Sequence, residues 1–277
     1  TGTFFIFRFF FSLDEENTQH VHTGHTGPVW QVSWSHPKFG VLLASCSYDK
    51  KVIIYKEDAS TGQWGKIHEA THHTSSVNSV CWAPHQYGLC LACASSDGTV
   101  SVLTYLQAEN RWAVSSIGVG SMSCNSVSWA PYGHMGSKGS ARLVTGACDN
   151  LVKVWRLDVN ERGEWAEKWV LDNDGTINGH DDWVRDVAWA PNSGMMCNTV
   201  ASCSEDGNVF IHVQDATTQK WSSKTLNKFN YPVWRVSWSV TGHLLAVSAG
   251  DNDVTVWKED IDGKWNQVSS ADASGFK

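Results

Sequence analysis

The chain is written in short apolar runs divided by turn clusters, and the runs have the period of strands, not helices. β-Branched and aromatic residues fill segments such as "VWQVSW", "VNSVCW", "VRDVAW" and "VWRVSW", spacing at i, i+3 and i+4 is hard to find, and "SSDG" or "SEDG" clusters punctuate them. Five runs end on a tryptophan, Trp34, Trp82, Trp129, Trp189 and Trp238, at intervals of 48, 47, 60 and 49 residues. A second series, Asp49, Asp97, Asp149, Asp206 and Asp251, keeps nearly the same period. Each of these aspartates is followed three residues on by Val52, Val100, Val152, Val209 or Val254, and six residues on by Tyr55, Leu103, Trp155, His212 or Trp257. A unit of this length reads as about four strands, and alternate residues of a strand point to opposite faces, so the pattern describes sheets packed on both sides. Four-stranded sheets stacked around an axis are blades. The predicted fold is all-β, a β-propeller with five complete blades.

The repetition also assigns the aspartates. An aspartate in a tight turn accepts hydrogen bonds from backbone N–H groups, and a Gly or Asn after it tolerates the left-handed backbone of a two-residue hairpin. Gly98, Asn150, Gly207 and Asn252 stand in that place, whereas Lys50 does not, so a different turn is expected in the first blade. Histidines at Gly24–His25 and Gly179–His180 are placed to bridge to such aspartates. The third and last units lack a Gly-His pair, and His212 replaces the tryptophan found at Trp155 and Trp257, so an Asp–His–Trp tie is expected to be complete in few blades or none. Asp49, Asp97, Asp149, Asp206 and Asp251 are therefore read as structural: a catalytic group has no reason to recur once per blade.

Composition narrows the function. A net charge of −7 over 277 residues, with no basic cluster, speaks against nucleic acid as a direct partner. The eight cysteines have no framework spacing and several lie in apolar strands, which predicts buried thiols and a reducing compartment. Cys90 and Cys93 form a C-x-x-C, but inside a strand and without a second ligand pair, so a core pair is favoured over zinc or redox chemistry. No G-x-S-x-G, P-loop or H-E-x-x-H is present, and no catalytic, cofactor or metal residue is assigned. Trp64, Trp112, Trp165, Trp221 and Trp265 recur in polar contexts once per unit. They are placed on the outermost strands, where packing is favoured over the alternative of a carbohydrate-binding rim.

The segments "GPVWQVSWSHPKFGVLLASCSYDKKVIIY", "SSVNSVCWAPHQYGLCLACASSDGTVSVLTY", "HDDWVRDVAWAP", "CDNLVKVW" and "LLAVSAGDNDVTVWKE" resemble WD-repeat proteins and, among them, the Sec-thirteen family, over roughly residues 24 to 266. That resemblance implies a six-bladed open ring without chemistry, completed by one blade donated by a partner. The implied partners are the large helical-solenoid outer-coat subunit of COPII, in transport from the endoplasmic reticulum to the Golgi, and a nucleoporin of the Y-shaped subcomplex of the nuclear pore. It places the protein at the cytoplasmic face of the endoplasmic reticulum and on COPII vesicles, peripheral to the membrane through the coat, and at nuclear pores. The rival within the WD-repeat class is a peptide-binding adaptor.

The sequence departs from the family in showing five complete units. Where a first blade is expected, residues 1–23 form an irregular Phe-rich leader or the remnant of that blade, and the propeller domain spans 24–277. The donated blade is expected on the exposed flank of the last unit, with Val233, Val236, Trp238, Val254 and Val256 as contacts. A sheet edge and apolar face left bare in this way invite a strand from another chain.

Overall fold

A computed structural model describes residues 24–133, 140–158, 165–191, 197–250 and 253–272. The described residues contain twenty strands in five four-stranded antiparallel sheets. Blade one comprises β1 (Val29–Trp34), β2 (Leu42–Ser47), β3 (Val52–Glu57) and β4 (Trp64–Ala70); blade two comprises β5 (Val77–Trp82), β6 (Cys90–Ser95), β7 (Thr99–Leu106) and β8 (Arg111–Gly118). Blade three is β9 (Cys124–Trp129), β10 (Ser140–Ala147), β11 (Val152–Asp158) and β12 (Val170–Ile177). Blade four is β13 (Val184–Trp189), β14 (Asn198–Ser204), β15 (Asn208–Gln214) and β16 (Trp221–Lys228), and blade five is β17 (Val233–Trp238), β18 (Leu244–Ala249), β19 (Asp253–Glu259) and β20 (Trp265–Asp272). The five predicted blades are all present.

The first strand of each blade is innermost: β1 packs on β5, β5 on β9, β9 on β13 and β13 on β17. Among the described residues no comparable packing joins β17 back to β1. The expectation for residues 1–23 lies outside the described residues.

Strand alternation gives every blade two different faces. Register puts Trp82, Leu91 and Leu103 on one face of blade two, and Cys81, Ala92 and Val102 on the other. The tryptophan face meets the preceding blade: Val80, Leu91, Cys93 and Leu103 pack with Ala44, Cys46, Val52 and Ile54 of blade one. The opposite face meets the following blade, where Ala92, Ala94, Val100 and Val102 pack on Val127, Trp129, Leu143 and Trp155. Blades three and four, and then four and five, repeat the arrangement. Interblade burial of these side chains, each worth ~1.5–3 kcal/mol, is the main source of stability, because an isolated four-stranded sheet leaves both faces wet.

Packing is expected for the outer-strand tryptophans, and most of them show it. Trp64 meets Trp34 at 5.4 Å between ring centroids, Trp112 meets Trp82 at 6.5 Å, Trp221 meets Trp189 at 6.0 Å and Trp265 meets Trp238 at 5.8 Å. In blade three the partner of Trp129 is Trp169, at 5.7 Å, while Trp165 stands on Tyr87 of blade two and remains exposed. The cysteines are free thiols, mostly buried; Cys90 and Cys93 lie in β6, and burial pushes the Cys46 thiol up to about 12.

Candidate partner interface

The turn aspartates of blades one to four knit their own blades internally. Asp49 accepts the N–H groups of Lys51 and Thr26 at 3.0 and 2.9 Å, and its carboxylate lies 2.9 Å from Nδ1 of His25, whose Nε2 is 2.8 Å from Ser45 Oγ. The same set forms in blade two from Asp97, Thr99, Thr74, His73 and Ser101. In blade four it forms from Asp206, Asn208, Asp181, His180 and Ser202. Burial opposes ionisation of Asp97, yet the Thr99 hydroxyl, the His73 ring and the Thr74 N–H together hold its pKa at about 2.

In blade three, Asp149 has no histidine; Lys153 Nζ takes the place, 2.6 Å from Asp149 Oδ2 and 2.9 Å from the carbonyl of Val119. Asp251 lies outside the described residues, as does Asn252. The first turn is not different after all. Lys50 adopts φ +72° and donates to Ser47 O at 3.2 Å, as Gly98 does to Ser95 O with φ +80°. The bonds converging on Asp49 over-determine that turn and hold a lysine where glycine is preferred, at a cost of ~1–2 kcal/mol.

Blade four extends the network. Ser202 Oγ is also 2.8 Å from Nε2 of His212, and Nδ1 of His212 is 2.8 Å from Ser223 Oγ. One proton arrangement satisfies every member: His180 Nδ1–H donates to Asp206, Ser202 donates to His180, His212 Nε2–H donates to Ser202, and Ser223 donates to His212. It requires both histidines neutral, and burial lowers the pKa of each, that of His212 to about 3. Where blades three and five carry tryptophan, the indoles of Trp155 and Trp257 donate instead to Thr145 and Thr255 at 3.0 and 2.9 Å.

These Ser–His–Asp sets have the connectivity of a hydrolytic triad. Ser45, Ser101 and Ser202 are nevertheless 2, 0 and 0 % exposed, so no substrate carbonyl reaches them. Among the described residues no group of three or more His, Cys, Asp or Glu is arranged to hold a metal.

A second set of polar contacts crosses between blades, and its residue types conceal its period. Each inner strand carries a β-bulge four residues before its tryptophan, as the register shifts between Val29 and Gln31 and between Val77 and Ser79 show. The bulge turns the next side chain toward the following blade, where it accepts the N–H of the valine two residues before that blade's tryptophan. Gln31 Oε1 accepts from Val80 at 3.0 Å, Ser79 Oγ from Val127 at 3.4 Å, Ser126 Oγ from Val187 at 3.3 Å and Asp186 Oδ2 from Val236 at 3.1 Å. Beside this ladder, the indole N–H groups of Trp82, Trp129 and Trp238 donate to the carbonyls of Ser33, Cys81 and Ala188 of the preceding blades, at 2.9, 3.0 and 3.0 Å. Ser126 also donates to Asp186 at 2.6 Å; burial raises the Asp186 pKa, while the guanidinium of Arg235, 3.8 Å away, acts in the opposite sense.

The flank of blade five that faces away from blade four carries Arg235, Ser237, Ala246, Val254 and Val256, by register. Val254 and Val256 are only half-buried, whereas their counterparts Val52 and Ile54, Val100 and Val102, Val152 and Val154, and Val209 and Ile211 are buried. Val233, Val236 and Trp238 do not belong to this flank. They pack against Ala201, Cys203, Val209 and Ile211 of blade four, because strand alternation sends them to the tryptophan face.

Comparison with known proteins agrees with this architecture. The model of the family described as "WD domain, G-beta repeat" matches residues 16–56, 64–102, 114–156, 172–212 and 222–258. The last four matches each begin in the outer strand of one blade and end in the third strand of the next. The chain is 52% identical over 258 residues to "Protein SEC13 homolog" of Homo sapiens, covering 89% of this chain and 77% of that protein. It is 47% identical to "Protein SEC13 homolog" of Dictyostelium discoideum over 94% of this chain and 86% of that one, and 48% identical to "Protein transport protein SEC13 homolog A" of Arabidopsis thaliana over 89% and 82%. The chain belongs to the SEC13 family of WD40-repeat proteins. Two junction faces have no described blade against them, the tryptophan face of blade one and the outward flank of blade five, and the second repeats the positions that meet the following blade at each internal junction.

Proposed function

We propose that this SEC13-family chain is a non-enzymatic scaffold subunit of the COPII coat in endoplasmic reticulum to Golgi transport, and by shared use a component of the nuclear pore complex. It acts through a partner that supplies a blade to its ring: the large helical-solenoid outer-coat subunit in one setting, a nucleoporin of the Y-shaped subcomplex in the other. It therefore resides at the cytoplasmic face of the endoplasmic reticulum, on COPII vesicles and at nuclear pores. The observation that carries the reading is the half-buried Val254–Val256 flank, which repeats the valine and isoleucine positions buried at every internal junction. Packed blades on one side and a solvated, strand-bearing face on the other make a rigid clamp for a strand-supplying chain. Co-purification of the tagged chain with the outer-coat subunit tests it. Capture is expected from the wild type and lost in Val254→Asp with an unchanged circular dichroism spectrum; unaltered capture by that variant contradicts the reading.

A further inference from the structure

The geometry points to Arg235 as the residue that selects the incoming blade: the blade that docks on blade five presents a carboxylate on its innermost strand, opposite Arg235. The proposal deepens the function above and rests on it.

Arg235 stands three residues before Trp238, the position held by Gln31, Ser79, Ser126 and Asp186 in blades one to four. At the four internal junctions that side chain is an acceptor, and each takes the N–H of a valine in the next blade. Arginine offers five N–H donors and no acceptor. A blade docked in the internal manner would set a buried N–H against a guanidinium, leaving both unpaired and the cation desolvated, which is the more costly of the two. An acidic side chain at the same level reverses the sign of that contact, and arginine and carboxylate pair with bidentate geometry.

Two observations leave Arg235 available for this. Its nearest anion among the described residues, Asp186, is at 3.8 Å, beyond hydrogen-bond distance, and that carboxylate is already engaged by Ser126 Oγ and by the N–H groups of Val187 and Val236. The Arg235 side chain is 39 % exposed, whereas the Asp186 side chain is 9 % exposed. One feature of the internal junctions is retained. The carbonyl of Ser237 holds the place of those of Ser33, Cys81 and Ala188, which accept indole N–H groups. The expected occupant is thus a partner β-blade with an indole or other N–H donor over Ser237 and a carboxylate over Arg235. A second copy of this chain is a poor occupant, because its blade one would bring the N–H of Val32, the counterpart of Val80 and Val127, to the guanidinium.

The test measures binding of the outer-coat subunit to the full chain by titration at two salt concentrations. Arg235→Lys keeps the charge and is expected to retain most of the affinity. Arg235→Ser, which restores the acceptor of blades two and three, is expected to weaken binding at least ~10-fold, and Arg235→Glu by more, with the salt dependence of the wild type reduced in both. Binding by Arg235→Ser that equals or exceeds the wild type overturns the proposal while leaving the partner reading intact. No binding by the wild type, at concentrations where it is folded, overturns the partner reading itself and this proposal with it. Sedimentation of the wild-type chain alone as a head-to-tail oligomer assigns the flank to a second copy and also overturns it.

Discussion

Blade two and blade five are built from the same positions, yet one has a described blade packed on each face and the other has one on a single face only. Val100 and Val102 lie at 0 and 4 % exposure against blade three, while Val254 and Val256, at the same places after the turn, remain half-buried. Ser79 accepts an N–H from the next blade, while Arg235 has none to accept and no lone pair to offer. A junction in this ring is therefore two separable things. Apolar matching supplies the free energy and survives on the open flank; the polar ladder supplies register and identity, and on the open flank it has changed sign.

A single charge placed on each flank separates the two blades by the widest margin. Val100→Asp buries an unpaired carboxylate and is expected to cost ~4 kcal/mol or more, enough to prevent folding, whereas Val254→Asp is expected to cost less than ~1 kcal/mol in the isolated chain. Urea denaturation of the two variants reads the difference; equal costs would mean that the flank of blade five is already sealed.

Acid sensitivity comes next in size. His212 and His180 have pKa values lowered by burial, so the folded chain binds fewer protons than the unfolded one. Their contribution is complete above pH ~6.5 and is lost as pH falls from there toward about 3, a tenfold difference in proton affinity between folded and unfolded chains being worth ~1.4 kcal/mol. His212→Trp, which copies blades three and five, is expected to flatten stability over that window, as followed by melting temperature against pH. Asp97 acts lower on the scale: with its pKa held at about 2, its contribution is present above the ordinary carboxylate value of ~3.9 and disappears as pH falls through 2.

The turns carry the smallest changes. Lys50→Gly relieves a left-handed lysine and is expected to stabilise by ~0.5–1 kcal/mol, the gain reduced by the added freedom of the unfolded chain. Gly98→Ala should go the other way by ~1–2 kcal/mol, since its Cβ would press on the carbonyl oxygen of Gly120. Chemical denaturation of the pair separates these signs.

Much of this was legible because the same residue type recurs. Trp34, Trp82, Trp129, Trp189 and Trp238 mark the end of each inner strand, and the aspartates mark each hairpin, so blade number and strand order follow from spacing. Elements that keep a position but change chemistry were hidden. His73 lies in "THHT", without a preceding glycine, although it precedes Asp97 by 24 residues, as His25 precedes Asp49. That spacing was the signal available. Lys153 in place of histidine, Trp169 in place of Trp165, and the ladder of Gln31, Ser79, Ser126 and Asp186, which repeats a residue type only at its two serines, gave no recurring signature for a pattern to find. The flank residues were half-legible: Val254 and Val256 face outward, but Val233, Val236 and Trp238 required the register of β17 to be placed against blade four.

Photo-crosslinking from a probe residue at position 256, and separately at position 165 on the exposed outer rim, with the outer-coat subunit added to the full chain, asks where the partner sits. A docked blade gives a crosslink from 256 to a strand of the partner and none from 165; a partner captured from the rim, with 256 silent, would mean that the open flank is not where the ring is completed.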